Sequence, residues 1–279
     1  MVRPVVALAC TSLTACTLSF ATEDEQVDQA RRRLLQCPSR LLQVTAVDLP
    51  YQVAGRDLPR LELGDAPDQY LRNQLGAAYG ALSNVHPRFD AAPTVAARLT
   101  RDLVWNARLY RCDDDGDQHF TVAVALTGAD EAGTEAALGT IDGQRAVLDE
   151  PGRPWMPVAA LADPLGTSDP GGLIGRYGRM IVDGWDTEQP RLLVGAGFAQ
   201  SWIELVLADP IAAFFTDRLA ANDSTYALEL DSDDDGVVSP DELRASSLYR
   251  SLLAADLQPS GQLAEGGVSV VLPLTATPR

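Results

Sequence analysis

The chain has 279 residues, of which 46% are hydrophobic, and it carries 39 acidic side chains against 22 basic ones, for a formal net charge of −17. This apolar content is sufficient for a substantial core and excludes an intrinsically disordered protein. The negative charge disfavours binding to nucleic acid and to anionic lipid surfaces, and it suits a solvated, exported protein that holds divalent cations.

The amino terminus has the pattern of an export signal. Arg3 supplies a short basic region, residues 5–13 are apolar, and the sequence Leu13-Thr14-Ala15-Cys16 follows. The apolar stretch is too short to span a bilayer as a helix. Two other interpretations stay open, namely an ordinary secretory signal cut near Ala21 and a buried amino-terminal strand.

The four residues that end in Cys16 resemble the lipobox of bacterial lipoproteins. That resemblance implies a signal peptide at residues 1–15, a lipid attached to Cys16, and contact with a membrane only through this anchor. Thr17 stands where an aspartate would suggest retention in the inner membrane. The implied location is therefore the cell envelope, anchored to the outer membrane.

Residues 16–28 are polar and acidic, which is typical of a tether, and the folded body is predicted over residues 29–279. Local patterns predict a short helix over 30–36, a strand over 42–47, and a longer helix that opens at 65–68 and ends at His86-Pro87. His86 is interpreted as a surface or capping residue.

Two cysteines, Cys37 and Cys112, belong to the mature body. In an oxidising compartment they are a natural disulfide pair. The alternative is a catalytic or unpaired thiol, for which only His86 and His119 could serve as a base.

The clearest hairpin joins alternating apolar residues of 103–111 to those of 120–126. Its connection carries aspartates at alternate positions, which resemble the front half of a calcium loop without the glutamate that would complete it. These residues are a candidate second, weaker metal site or a plain Asp-Gly turn: Asp113, Asp115 and Asp117.

A second hairpin is predicted over residues 138–148, and the Pro- and Gly-rich residues 151–172 are a loop or a seam between subdomains. Residues 191–207 predict one or two buried strands, Asp209-Pro210 the start of a helix, and residues 268–272 a last strand. The predicted class is α+β, with antiparallel hairpins forming a sheet that packs with a few helices.

Residues 231–242 have the spacing of a calcium-binding loop. Acidic side chains stand at loop positions one, three and five, Gly236 at six and a glutamate at twelve, and this pattern resembles the EF-hand. The resemblance implies Ca²⁺ bound by side chains, by a backbone carbonyl at position seven and by a water-mediated contact at nine, from Asp231, Asp233, Asp235, Val237, Ser239 and Glu242.

The alternative for the same residues is an acidic turn that caps a helix. Ser239 and Glu242 fit a capping box with Pro240 at the first helical position. On the other side of the loop, residues 226–230 alternate in polarity, which predicts a strand. The carboxy-terminal unit over 226–258 is therefore predicted as strand, calcium loop and helix.

These features predict an exported, lipid-anchored calcium-binding protein with a structural calcium site and a binding or cell-envelope role. The sequence does not identify a protein or glycan partner. The competing hypothesis is a secreted or envelope hydrolase, although neither a paired-carboxylate site nor a serine nucleophile motif stands out. The sequence leans against an enzyme.

Overall fold

The computed structural model describes residues 23–49, 61–62, 70–89, 97, 106–112, 120–127, 136–150, 155–156, 173–174, 176–258 and 266–279. The helices are α1 (Glu23–Leu34), α2 (Gln74–Val85), α3 (Gln200–Ala220), α4 (Thr225–Leu230), α5 (Pro240–Ala245) and α6 (Ser247–Leu252). The first strands are β1 (Ser39–Val47), β2 (Leu61–Glu62), β3 (Tyr70–Leu71), β4 (Asn106–Arg111), β5 (Val122–Thr127) and β6 (Ala137–Asp142). They are followed by β7 (Arg145–Glu150), β8 (Trp155–Met156), β9 (Leu173–Ile174), β10 (Arg176–Asp183), β11 (Arg191–Ala199) and β12 (Gly267–Pro278).

Eight of these strands form a closed antiparallel barrel in the order β1-β12-β11-β10-β7-β6-β5-β4. Strand β1 closes it by pairing with β4 on one side, where Leu42 lies opposite Ala107, and with β12 on the other, where Val44 lies opposite Ala276. The short strands form two separate pairs, β2 with β3 and β8 with β9.

One face of the barrel is apolar on all eight strands. Val194, for example, lies opposite Met180 on β10 and Leu272 on β12, and all three are buried in one large core cluster. Side chains alternate between the two faces of a strand, so the buried apolar residues of each strand share one face. The face whose apolar side chains form one cluster across all eight strands is the interior of the barrel. The barrel is thus filled by apolar side chains.

Two small apolar patches lie on the other face of the sheet. Helix α1 covers one of them through Leu34, which packs with Ala123 and Leu138 on β5 and β6. Cys37, just after this helix, is disulfide-bonded to Cys112 at the end of β4, with the Cα atoms 5.3 Å apart. The disulfide thus links the segment after α1 to the barrel wall.

The second outer patch contains Leu71, Val271 and Leu257. Beside it, Asn73 adopts a left-handed conformation and is fully buried, and its Oδ1 accepts a hydrogen bond from the Val271 N–H. Helix α2 starts immediately after this residue, so it is shorter than the helix predicted from residues 65–68. The start of that prediction lies outside the described residues.

The predicted α+β class is wrong, because the sheet closes into a barrel instead of packing one face on helices. Both predicted hairpins are present, since β4 pairs with β5 and β6 with β7, and the last strand is present as β12. Local alternation identifies such hairpins, whereas closure depends on β1 pairing with strands distant in sequence.

Of the one or two strands predicted over 191–207, one is confirmed as β11, but the prediction is wrong beyond Ala199, where α3 follows directly. Ile203, Leu207 and Ile211 are buried at a spacing of four residues, which is helical. A continuous apolar run does not distinguish a buried strand from a helix. Pro210 therefore lies inside α3 and does not open a new helix.

At the amino-terminal side, α1 begins at Glu23, so the last part of the predicted tether is helical, while residues 1–22 lie outside the described residues. The predicted seam at 151–172 falls almost entirely outside them. Among the residues that the structure describes, no helix has both the length and the apolar character needed to cross a membrane.

Candidate metal centre

The acidic loop lies between two helices, α4 and α5. The predicted strand over 226–230 is wrong, because residues 225–230 form a helix that begins after Ser224. The Ser224 hydroxyl oxygen accepts a hydrogen bond from the Ala227 N–H at 3.1 Å, which caps the helix, and Ala227 and Leu230 are buried three residues apart. The unit is therefore helix, loop and helix.

Three predicted ligands converge in this loop. Carboxylate oxygens of Asp231, Asp233 and Asp235 all lie within 4.8 Å of one another. Asp231 is buried and the other two are exposed, so the cluster opens to solvent on one side. Because like charges at this separation repel, a bound cation would stabilise the arrangement.

Backbone N–H groups hold these carboxylates in place. The two oxygens of Asp231 accept hydrogen bonds from the N–H groups of Asp235 at 3.1 Å and Gly236 at 3.0 Å. The Asp235 carboxylate in turn accepts one from the Val237 N–H at 2.8 Å. The turn requires positive φ angles, 58° at Asp234 and 84° at Gly236, and glycine adopts such a conformation without steric cost.

The Glu242 carboxylate binds both ends of the loop. One oxygen accepts from the Ser232 N–H at 2.7 Å and from its hydroxyl at 2.8 Å, and the other accepts from the N–H and hydroxyl of Ser239, each at 2.9 Å. The hydrogen bonds from Ser239 and Ser232 lower the pKa of Glu242 to about 2. Glu242 is thus ionised at neutral pH.

The predicted capping box is present. The Ser239 hydroxyl oxygen accepts from the Glu242 N–H while the Glu242 side chain accepts from the Ser239 N–H, and Pro240 occupies the first turn of α5. The helix-capping and metal-ligand interpretations therefore concern the same side chains. Glu242 lies outside the cluster of three converging aspartates, and Val237, the predicted carbonyl ligand, has a side chain that is 49% exposed.

Helix α3 contacts the loop at Val238. Val238 is 2% exposed, and its backbone N–H donates to the hydroxyl oxygen of Thr216 at 2.9 Å. The same hydroxyl group lies 3.2 Å from the Val238 carbonyl oxygen, to which it donates. Val238 and Leu243 belong to the large core cluster that also fills the barrel. The loop is therefore attached to the main core.

The donor set favours a hard cation. Carboxylate, hydroxyl and carbonyl oxygens are the ligands of Ca²⁺ and Mg²⁺, and the cluster contains no sulfur or imidazole. Calcium accepts six to eight oxygens in a flexible geometry, whereas magnesium demands a small, regular octahedron.

Other predicted site residues are not part of the acidic loop. Cys16 and the possible second metal site at Asp113, Asp115 and Asp117 lie outside the described residues. His86 follows α2 as its C-cap and is buried, so it is a capping residue as expected and does not lie on the surface. Its Nε2 lies 3.6 Å from Asp223 Oδ1.

Two residues that contact the site were not singled out in the sequence. Ser232 occupies loop position two, where the calcium pattern specifies no ligand, and Thr216 lies far upstream on another helix. A serine next to the first aspartate is a weak signal, and for Thr216 the sequence carries none.

No match to this chain emerges from comparison with protein-family models, with curated proteins or with solved structures.

Proposed function

We propose that this protein binds Ca²⁺ at the loop over residues 231–242 and that the ion stabilises the attachment of the helical unit to the barrel. The observation that carries the proposal is the convergence of Asp231, Asp233 and Asp235 within 4.8 Å in a helix–loop–helix unit. The loop is anchored to the core through Val238, so an ion that orders the loop also restrains α3.

The calcium site has a structural role in this proposal. The single loop packs on α3 and on the barrel core, and ion binding there neutralises carboxylates that already face one another. At extracellular concentrations of the ion, a dissociation constant of about 0.1–1 mM is sufficient for steady occupation. Calcium then stabilises one conformation of the protein and does not switch it between two.

The proposed setting is the cell envelope, with the barrel attached to the outer membrane by a lipid on Cys16 and with a binding or architectural role. The lipobox-like residues and the acidic surface support this setting. Incorporation of a labelled fatty acid tests it: the label should appear in the wild type and in Cys10→Ser, and it should be lost in Cys16→Ser. Equal labelling of both variants would exclude lipidation at Cys16.

No observation in the described part of the chain favours the hydrolase. A surface depression of about 390 Å³ lies between the ends of α2 and α3, and it contains a single carboxylate, that of Asp223. This carboxylate is paired with Arg88 at 3.3 Å and Arg218 at 3.1 Å. Glycoside hydrolysis generally uses two carboxylates, so the depression does not match that chemistry.

Calorimetric titration with CaCl₂ is the direct test of the proposed function. The wild type should bind one equivalent of Ca²⁺, and its melting temperature should be higher in calcium than in chelator. At ten-fold to hundred-fold excess over the dissociation constant, the ion should stabilise the fold by about 1.4–2.7 kcal/mol.

Two isosteric variants make the titration specific. Asp233→Asn removes one converging carboxylate and should abolish or strongly weaken binding. Glu188→Gln changes the charge by the same amount on the exposed loop between β10 and β11, and it should bind as the wild type does. If the wild type shows neither heat nor a thermal shift at several millimolar calcium, the loop is a helix-capping acidic turn.

A further inference from the structure

Thr216 forms two hydrogen bonds with the backbone of a single loop residue, Val238. It is half-buried on α3, and its single hydroxyl group accepts from the N–H of Val238 and donates to the carbonyl of the same residue. A hydroxyl group can do both because it carries one hydrogen and two lone pairs. Both backbone groups of one loop residue thus depend on one side chain.

Val238 needs such a partner because of its position. Its side chain is 2% exposed, and buried backbone N–H and C=O groups that lack hydrogen bonds destabilise a fold. The next residue, Ser239, begins the cap of α5, and the previous one, Val237, is tied to Asp235. Val238 is therefore the point at which the loop is fixed to a neighbouring helix.

The neighbouring helix, α3, packs into the main core. Phe215, next to Thr216, is fully buried, and its ring packs edge-on against that of Phe214 at 5.2 Å. Both rings lie in the cluster that extends into the barrel interior. A hydrogen bond from Thr216 therefore fixes the loop relative to the barrel.

We propose that Thr216 is a positioning residue for the calcium loop, because its hydroxyl holds the loop backbone in place before the ion binds. This inference rests on the proposed calcium binding. In the fixed position, the loop backbone from Asp235 to Ser239 is already arranged when the ion arrives, so binding loses less conformational entropy. Without the Thr216 hydroxyl, the loop backbone has to become ordered as the ion binds, so the affinity for calcium falls.

The test compares variants of Thr216 in the intact protein. Thr216→Val keeps the branched shape and removes the hydroxyl, and we expect its calcium dissociation constant to rise about tenfold. Thr216→Ser keeps the hydroxyl and should bind within about twofold of the wild type. Thr45→Val is the control for the substitution itself, because it removes a hydroxyl that donates to the Thr275 carbonyl at 3.2 Å at an exposed position on β1, away from the loop.

A second measurement needs no variant. Amide hydrogen exchange of the wild type in chelator should show that the Val238 N–H is already protected, together with amides of α3 near Thr216. This readout reports the order of the loop before the ion binds, and it remains available if Thr216→Val fails to fold.

The outcomes are distinguishable. If the wild type binds calcium and Thr216→Val binds equally well, or the Val238 N–H of the wild type exchanges in chelator as fast as an unprotected amide, Thr216 is not a positioning residue while the proposed function stands. If the wild type binds no calcium, both proposals fail. Weak binding by Thr216→Val, recovered in Thr216→Ser and absent from the Thr45→Val control, supports the inference.

Discussion

Ser232 and Glu242 lie ten positions apart and close the acidic loop, since one carboxylate oxygen of Glu242 accepts from both the N–H and the hydroxyl of Ser232, at 2.7 and 2.8 Å. A loop closed in this way is ordered by its own hydrogen bonds. The same carboxylate is the predicted twelfth-position calcium ligand, so its bonds to Ser232 compete with coordination of an ion.

The variant Ser232→Ala tests this competition. It removes one of the two hydrogen bonds from Ser232, so the melting temperature in chelator should fall below that of the wild type. Because Glu242 is less restrained in Ser232→Ala, the difference in melting temperature between the variant and the wild type should shrink at saturating calcium. Thermal melts in both conditions check this, and a deficit of the same size with and without calcium would show that Glu242 does not change partners.

Asp256 should give the stability a distinctive pH dependence. It is half-buried, its Oδ1 accepts from the N–H of the fully buried Ser269 at 2.8 Å, and burial raises its pKa above the ordinary value of 3.8. A raised pKa means that the folded state holds the proton more tightly than the unfolded state. The stabilisation is therefore present below pH 3.8 and is lost as the pH rises through the folded-state pKa.

The reference for this effect is Asp256→Asn, which cannot titrate. As the pH rises above 3.8, the free energy of unfolding of the wild type should fall relative to that of the variant and then level off. Urea denaturation across this range measures the difference. A wild type that gains stability relative to Asp256→Asn over the same interval would contradict the assignment.

Gly139 is required by the close contact between β6 and β7. A Cβ atom at this position would lie 2.0 Å from the Val147 carbonyl oxygen and 2.8 Å from the Leu148 Cα, and both are backbone atoms that cannot move aside alone. Gly139→Ala should therefore destabilise the barrel by about 3 kcal/mol or more, or prevent folding.

The matched control for that substitution is Gly143→Ala in the turn of the same hairpin. Space around Gly143 is open, but its φ of 58° disfavours a side chain, so the cost should be only about 1 kcal/mol. Urea denaturation compares the two. Equal costs would show that the strands can separate enough to admit a methyl group.

The disulfide between Cys37 and Cys112 should contribute to stability by constraining the unfolded chain. It encloses a separation of 75 residues, for which loop-closure entropy predicts a loss of about 4 kcal/mol when the bond is absent. The double variant Cys37→Ser/Cys112→Ser should have a correspondingly lower urea midpoint, and reduction of the wild type should reproduce it. An unchanged midpoint would mean that the bond is not formed in solution.

Local sequence was informative where the chain interacts with its near neighbours. The hairpin of β6 and β7, the capping box of Ser239 and Glu242, and the positions of Asp231, Asp233 and Asp235 all follow from spacings of a few residues. Turn geometry and helix caps are decided by side chains close in sequence, so their sequence patterns can be recognised without knowledge of the fold.

The polarity pattern led to a wrong prediction where it is compatible with both a strand and a short helix. Residues 226–230 alternate like a strand, but Ser224 caps a helix there, and the burial of Ala227 and Leu230 against the rest of the protein favours that helix. Tertiary packing overrides weak local preference in so short a segment.

The sequence by itself determined the acidic loop, its helix cap and the barrel hairpins, because each depends on short-range spacing and backbone geometry. Only the tertiary structure decided that β1 joins β4 to β12 and closes the sheet, and that Thr216 holds Val238. Those contacts join residues far apart in the chain, and they form because a closed barrel satisfies its edge strands and buries one continuous apolar face.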